Sequence, residues 1–272
     1  MTLERGGVVD VASEYAYPLP FRVICALLGV SWHAEERLGD WFTVLAAGSV
    51  NSVAVFAEAS GTMLSFLRET IGAKRREPGD DLITALIQAR DGDDRLTEDE
   101  LVSMMYVLFI AGHETTASLI TNSVLALLRN PGQLALVHER RDLIDATVEE
   151  TLRYDGVVQA TMPAVATETF TLGGQLVQQG DVVAVSPLTA SFATGAEPDR
   201  FDVTREAPHL GFGHGIHYCI GAPLARLEAR IALRHLIEWL PAVQLEDDNL
   251  ERLPSIMFNR LAALRIHMRE RS

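Results

Sequence analysis

The stretch Phe212-Gly213-His214-Gly215-Ile216-His217-Tyr218-Cys219-Ile220-Gly221 decides how this chain of 272 residues is read. It is a glycine-rich loop that delivers a lone cysteine, Cys219, to the start of an amphipathic segment. That segment is predicted to be helical from Ala222 to Leu240. A helix N-terminus presents unpaired backbone N–H groups and partial positive charge, and both stabilise a sulfur anion. The glycines let the backbone turn tightly and approach a flat ligand closely.

A cysteine in this setting has three readings. A thiolate held at a helix start can serve as an axial ligand to haem iron. His214, His217 and Cys219 are all residue types that ligate zinc, although no second Cys or His pair supports that reading. A lone cysteine is also commonly an inert small hydrophobe. The wider pattern separates them. Phe212-x-x-Gly215-x-His217-x-Cys219-x-Gly221, continued by Ala222-Pro223-Leu224-Ala225-Arg226-Leu227-Glu228, resembles the haem-binding loop and following helix of soluble bacterial cytochromes P450. The resemblance implies haem b as cofactor, with Cys219 its proximal iron ligand. It also implies Phe212 and Gly213 at the haem face and His217 at a propionate.

Composition is that of ordinary globular material, not a disordered chain. The chain is 48 % hydrophobic and 22 % charged, with a net charge of −14. That charge argues against nucleic acid or anionic membrane as the main partner. The two cysteines, Cys25 and Cys219, form no disulfide framework, so a reduced cytoplasmic setting is expected. The start shows no basic stretch followed by an apolar one, and so no signal peptide. The apolar region Leu101 to Ala111 is too short to span a bilayer.

The first half reads as helices. Pro18 to Gly29, Trp41 to Ala47 and Val53 to Arg76 are apolar or amphipathic runs. Asp80 or Asp81 is placed to cap a helix from Leu82 to Arg90. Thr97-Glu98-Asp99-Glu100 is a capping box. It opens a long helix of about 97–129, stopped by Asn130-Pro131-Gly132. Helices from Leu134 to Arg140 and of about 143–153 follow. Between Thr161 and Ser186 a period-two pattern around Gly173-Gly174 predicts a small sheet. The tail, Leu261 to Met268, is a further candidate strand. The order is mainly α with a minor β region. It fits residues 1–272 as the C-terminal portion of a P450 domain.

The long helix breaks its own rules in the middle. Ala111-Gly112-His113-Glu114-Thr115-Thr116 places poor helix formers and a carboxylate in an apolar interior. Ser and Thr bond back to the preceding turn and can open a helix locally. Such rule-breaking marks functional sites. The six residues resemble the oxygen-activation motif of the P450 central helix. By that resemblance Thr115 serves dioxygen and an ordered water, Glu114 relays protons, and Ala111 and Gly112 leave room beside the haem. The plainer alternative is a surface Glu and two back-bonding Thr.

Glu150 and Arg153 form a Glu-x-x-Arg pair on one helical face. By the resemblance this pair is structural, and Arg200, in Pro198-Asp199-Arg200-Phe201, is the candidate third member. Val158, Met257 and Phe258 are candidate substrate-facing positions on the same ground.

Three departures from the family pattern stand out. The chain begins at a segment that family members reach after several helices and two strands. Ala164 stands where the family has a propionate-binding arginine. Ser191 to Pro198 is shorter than usual and lacks an Asn-Arg-Asp run. The expected activity is that of a haem-thiolate monooxygenase acting on a hydrophobic small molecule, as in secondary metabolism. Electrons would come from NAD(P)H through an external ferredoxin or flavodoxin. Arg226, Arg230 and Arg234, on one face after Cys219, are expected to attract an acidic redox partner or to form an ordinary solvated face. The alternatives are a P450-like auxiliary protein, haem-free or redox-silent, that acts on a partner enzyme, and a non-oxidative cyclase or isomerase.

Overall fold

The computed structural model describes residues 7–34, 44, 52–93 and 96–269. The run expected from Trp41 to Ala47 lies almost wholly outside them.

Helix α1 (Pro18–Leu28) starts with proline at N1, where a missing N–H costs nothing, and ends on Gly29 at φ +67°. A single π-helical turn, Ala12–Ala16, leads into it and ends at Tyr17. Helix α2 (Val53–Arg76) keeps its expected bounds, and α3 (Leu82–Asp93) runs past Arg90. Asp81 caps α3: its Oδ1 accepts the Thr84 N–H at 2.9 Å. Helix α4 (Glu98–Arg129) opens with the full capping box between Thr97 and Glu100. Helix α5 (Pro131–Glu139) begins on the proline expected only to stop its neighbour. Helix α6 (Ile144–Tyr154) and the short α7 (Pro187–Phe192) follow. Helix α8 (Ala222–Leu236) ends one turn earlier than expected, before a 3-10 turn at Leu240–Ala242 that contains Pro241.

α4 changes character along its length, and this organises the fold. In its first half Leu101, Val102, Met105 and Phe109 are buried in one stripe. They pack with α1, α2 and α3 around Phe21, Met63, Leu67 and Ile83. From Thr116 to Leu127 every position is buried. There the helix is the axle of a second core, with α5, α6, α8 and the C-terminal strands around it. A helix enclosed all round needs no polar face. Its polar side chains turn inward on the backbone: Thr121 Oγ1 donates to the Ala117 carbonyl and Ser123 Oγ to that of Leu119, both at 2.8 Å.

The β structure is small. Strand β1 (Val9–Asp10), β6 (Val243–Leu245) and β7 (Arg265–Met268) form an antiparallel sheet with β7 central. The expected tail strand is therefore present, shortened at its N-terminal end, while β1 and β6 carry too little alternation to be read in advance. The region 161–186 gives two separate ladders. β2 (Ala164–Val165) pairs with β5 (Val182–Val183), enclosing a hairpin of β3 (Phe170–Leu172) and β4 (Gln175–Val177). Gly173 and Gly174 sit at φ +55° and +83°, as the two-residue turn demands. No helix among the described residues is long and apolar enough to cross a membrane.

Candidate functional site

The cysteine loop is closed by its own backbone. The Cys219 N–H donates to the Phe212 carbonyl at 2.9 Å, and Gly213 N–H to that of Leu210 at 2.8 Å. Gly213 and Gly215 take φ +75° and +68°, which a side chain would resist. A Cβ on Gly221 would lie 3.8 Å from the Cys219 sulfur, in contact with it. Cys219 is exposed and in no disulfide. It is flanked by Ile216, 97 % exposed, and Ile220, 89 % exposed. A loop tied down this firmly yet showing bare aliphatic side chains around a thiol is a surface made to be covered. A free thiol, glycine backbone and apolar flanks fit haem. His214 and His217 are exposed on the same loop. Among the described residues no group of three His, Cys, Asp or Glu side chains is placed to hold a metal ion, so His214, His217 and Cys219 make no zinc site.

Phe212 is half-buried, and the Arg226 guanidinium lies 4.4 Å above its ring. Arg226 is held in turn by Glu149, through bonds of 2.6 and 2.8 Å, and His209 Nε2 meets the same carboxylate at 2.9 Å. Partial burial alone would raise the Glu149 pKa, but the Arg226 and His209 bonds outweigh it and bring it to about 2. The cysteine loop is thereby clamped to α6 by charge as well as packing.

On α4 the expected site residues separate. Ala111 is exposed and Thr115 half-buried, and the Thr115 hydroxyl donates to the Ala111 carbonyl at 2.6 Å. The helix continues unbroken through both, because this bond adds to the ladder without displacing it, so no local opening is present. Gly112 does not open a space. A Cβ there would meet Ile24 at 3.0 Å, so the missing side chain serves the packing of α1. Glu114 is not a surface residue, being 1 % exposed. Its Oε1 accepts the Tyr17 hydroxyl at 3.1 Å and lies 3.1 Å from Arg260 Nε. Burial raises its pKa, while Arg260, Tyr17 and Ser118 pull the other way. His113, beside it, is buried with Nε2 3.1 Å from the Tyr17 carbonyl. Burial holds it neutral, with a pKa of about 4.

Glu150 and Arg153 are buried and pair at 2.8 and 2.9 Å. Arg153 also donates to the carbonyls of Phe192, Pro198 and Arg200. Arg200 joins only through that carbonyl. Its own side chain is 57 % exposed and pairs with Glu197 at the surface. The third charged member is Arg205, whose Nε lies 3.4 Å from Glu150 Oε1. Arg205 stands after the Asp202 turn, so the chain has already doubled back and aims it inward.

The sequence profile described as Cytochrome P450 matches residues 47–254. The chain belongs to the cytochrome P450 family. It is 44 % identical over 241 residues to cytochrome P450 107B1 of Saccharopolyspora erythraea, covering 87 % of this chain and 59 % of that one. It is 41 % identical to the cytochrome P450 monooxygenase PikC of Streptomyces venezuelae, covering 97 % and 64 %. The fold superposes on the tirandamycin C-bound P450 monooxygenase TamI with a TM-score of 0.90 and 39 % identity, over 97 % of this chain and 66 % of that one. The chain thus spans about three-fifths of the length of the curated P450 relatives it matches.

Within this P450 fold the candidate substrate positions come together. Val158 and Phe258 form an antiparallel bridge. Gln159 N–H donates to the Met257 carbonyl at 2.8 Å, and its side-chain amide to that of Phe258 at 2.8 Å. The arginine face expected after Cys219 is largely spent. Arg226 is bound to Glu149, and Arg230 lies 3.6 Å from Asp145. Sequence reading also passed over Tyr17, Glu149, Arg205, His209 and Arg260. Only Arg260 left a trace, as a lone charge in the apolar run Ile256 to Leu264.

Proposed function

We propose that this P450 chain carries the haem-binding and proton-delivering parts of a haem-thiolate monooxygenase that acts on a hydrophobic small molecule. The carrying observation is the exposed Cys219 thiol, whose backbone N–H is bound to the Phe212 carbonyl in a loop whose apolar flanks lie bare. Bound there, haem b would supply the iron at which dioxygen is activated, so that one oxygen atom enters the substrate and the other leaves as water.

The chain's own residues do the rest. Cys219 would hold the haem iron through its sulfur, and the charged clamp of Arg226, Glu149 and His209 keeps its loop in place. Phe212 and Gly213 would border the haem, and His217 would meet a propionate. Exposed Ala111 and half-buried Thr115 share one turn of α4, where oxygen chemistry would need access and a hydroxyl. The Thr115 hydroxyl, with its hydrogen bonded to the Ala111 carbonyl, keeps lone pairs that could accept from water. Glu114 stores a proton behind it. Val158, Met257 and Phe258 form an apolar wall for substrate. A small molecule of secondary metabolism is the class in view, TamI being bound to tirandamycin C. Electrons arrive from NAD(P)H through a ferredoxin or flavodoxin. A cytoplasmic setting keeps the Cys219 thiol reduced.

Haem titration into the purified protein, followed by the spectrum of its reduced carbon monoxide complex, tests the assignment. A strongly red-shifted Soret band, lost in Cys219→His, is expected. No haem uptake by the chain, even together with the polypeptide that completes the length of its relatives, overturns it in favour of an auxiliary protein.

A further inference from the structure

Glu114 is a buried carboxyl whose surroundings come from three distant parts of the chain. Tyr17 arrives at the end of the π turn, Glu114 sits mid-way along α4, and Arg260 stands shortly before β7 begins at Arg265. We propose that Arg260, with Tyr17, is a positioning residue that lowers the cost of ionising buried Glu114, with Oε1 engaged and Oε2 left to take up and release a proton. The proposal rests on the proton-delivering role given to Glu114 above and adds the residues that set its charge.

The geometry divides the carboxylate in two. Oε1 receives the Tyr17 hydroxyl and faces Arg260 Nε, each at 3.1 Å. Oε2 is buried and makes no aligned hydrogen bond. A buried carboxylate oxygen without a partner is costly, and the cost falls when that oxygen takes up a proton or a water. Oε2 is therefore the atom that exchanges protons. Oε1 is saturated.

Arg260 acts through charge. Its Nε–H is not aligned on the carboxylate, so the contact is an ion pair without a directed hydrogen bond. The guanidinium is fixed from the other side by the Tyr17 ring, 4.5 Å below it. Tyr17 thus donates to Glu114 with its hydroxyl and supports Arg260 with its ring. The other groups facing the carboxyl bring no charge. Ser118 and His113 are on the same helix, Ser118 is a neutral hydroxyl, and His113 is held neutral by burial. Burial favours a neutral acid, and Arg260 is the cation that opposes it. Among the groups that favour the ionised form, Tyr17, Ser118 and Arg260, only Arg260 brings a charge. That side chain lies two residues beyond Phe258, on the segment whose Asn259 N–H is bound to the Val157 carbonyl at 2.7 Å. The proposed substrate wall and the clamp on the proton carrier are one piece of backbone.

The test follows the titration of Glu114 directly and needs no haem. Glutamate side chains are labelled with ¹³C at the carboxyl, and the Glu114 resonance is assigned by its loss in Glu114→Gln. In Arg260→Met the Glu114 midpoint is expected to rise by about 1–3 pH units, the range for loss of an adjacent opposite charge. Arg260→Lys restores the charge and is expected to return the midpoint toward wild type. Tyr17→Phe, which removes a hydrogen bond and keeps the cation, is expected to give a smaller rise. A midpoint in folded Arg260→Met equal to wild type overturns the proposal. Should Arg260→Met fail to fold, Arg260→Gln makes the same comparison: a raised midpoint supports the clamp, and an unmoved one overturns it. Because the readout is a carboxyl resonance, failure of the haem assignment leaves this result intact, and the reverse also holds.

Discussion

Glu150 and Arg153 grip each other through two hydrogen bonds, at 2.8 and 2.9 Å, with side chains 2 % and 0 % exposed. Arg153 then spends its remaining donors on three backbone carbonyls from the segment 192–200. An i,i+3 ion pair on a surface is worth little. Buried, it becomes a rivet between α6 and the chain that leads to the cysteine loop.

Breaking that rivet strands a buried charge. Arg153→Met is expected to destabilise the fold by roughly 3–5 kcal/mol, read from urea unfolding. Arg153→Lys is expected to recover little, since an ammonium cannot reproduce the two-pronged bond or reach all three carbonyls. Full recovery by lysine would show that charge alone matters here.

Cys219→Ser keeps the loop's shape and removes the sulfur. The fold is expected to be unaffected, because the thiol is exposed and the loop is closed through backbone atoms. The red-shifted carbon monoxide band is expected to vanish. Retention of that band in the variant would place the axial ligand elsewhere.

Thr115→Ala removes a hydroxyl placed for proton traffic. Product formation by the reconstituted enzyme is expected to fall by about 10²–10⁴, the usual worth of a positioned proton donor or acceptor. Consumption of reducing equivalents continues, and peroxide rises in place of product. Unchanged product per electron pair would count against the role.

His113 makes the stability depend on pH. Its folded pKa, about 4, lies below the unfolded value of 6.5. Between those two values the unfolded chain binds the proton and the folded one does not. The contribution is thus complete above pH 6.5 and is lost as pH falls toward 4, amounting to roughly 3 kcal/mol. Unfolding free energies measured at pH 7 and pH 4.5 are expected to differ by less in His113→Gln than in wild type. Equal differences in the two proteins would mean that His113 is not the group responsible.

Local rules carried much of the fold. The capping box at Thr97, the proline start and glycine stop of α1, and the Gly173-Gly174 turn are all short-range chemistry, and each lies where it was expected. What failed were inferences about where a side chain points. Gly112 was expected to make room and instead receives Ile24. Arg200 was expected in the buried pair, which Arg205 joins. Arg226 and Arg230, open to reading as a partner-facing patch or as a solvated face, are matched by Glu149 and Asp145, a choice that spacing alone could not make. Those outcomes depend on which neighbour a distant segment supplies.

The sequence by itself determined the family, through Phe212 to Gly221 and Ala111 to Thr116. Those motifs are contiguous, and their backbone needs are met within a few residues. Only the tertiary structure decided the electrostatics around them. Tyr17, Glu114 and Arg260 are brought together from the two ends of the chain and its middle, and Glu149, His209 and Arg226 from three separate elements. Burial sets what each charge costs and packing sets which partner offsets it, and neither is written in the spacing of residues along the chain.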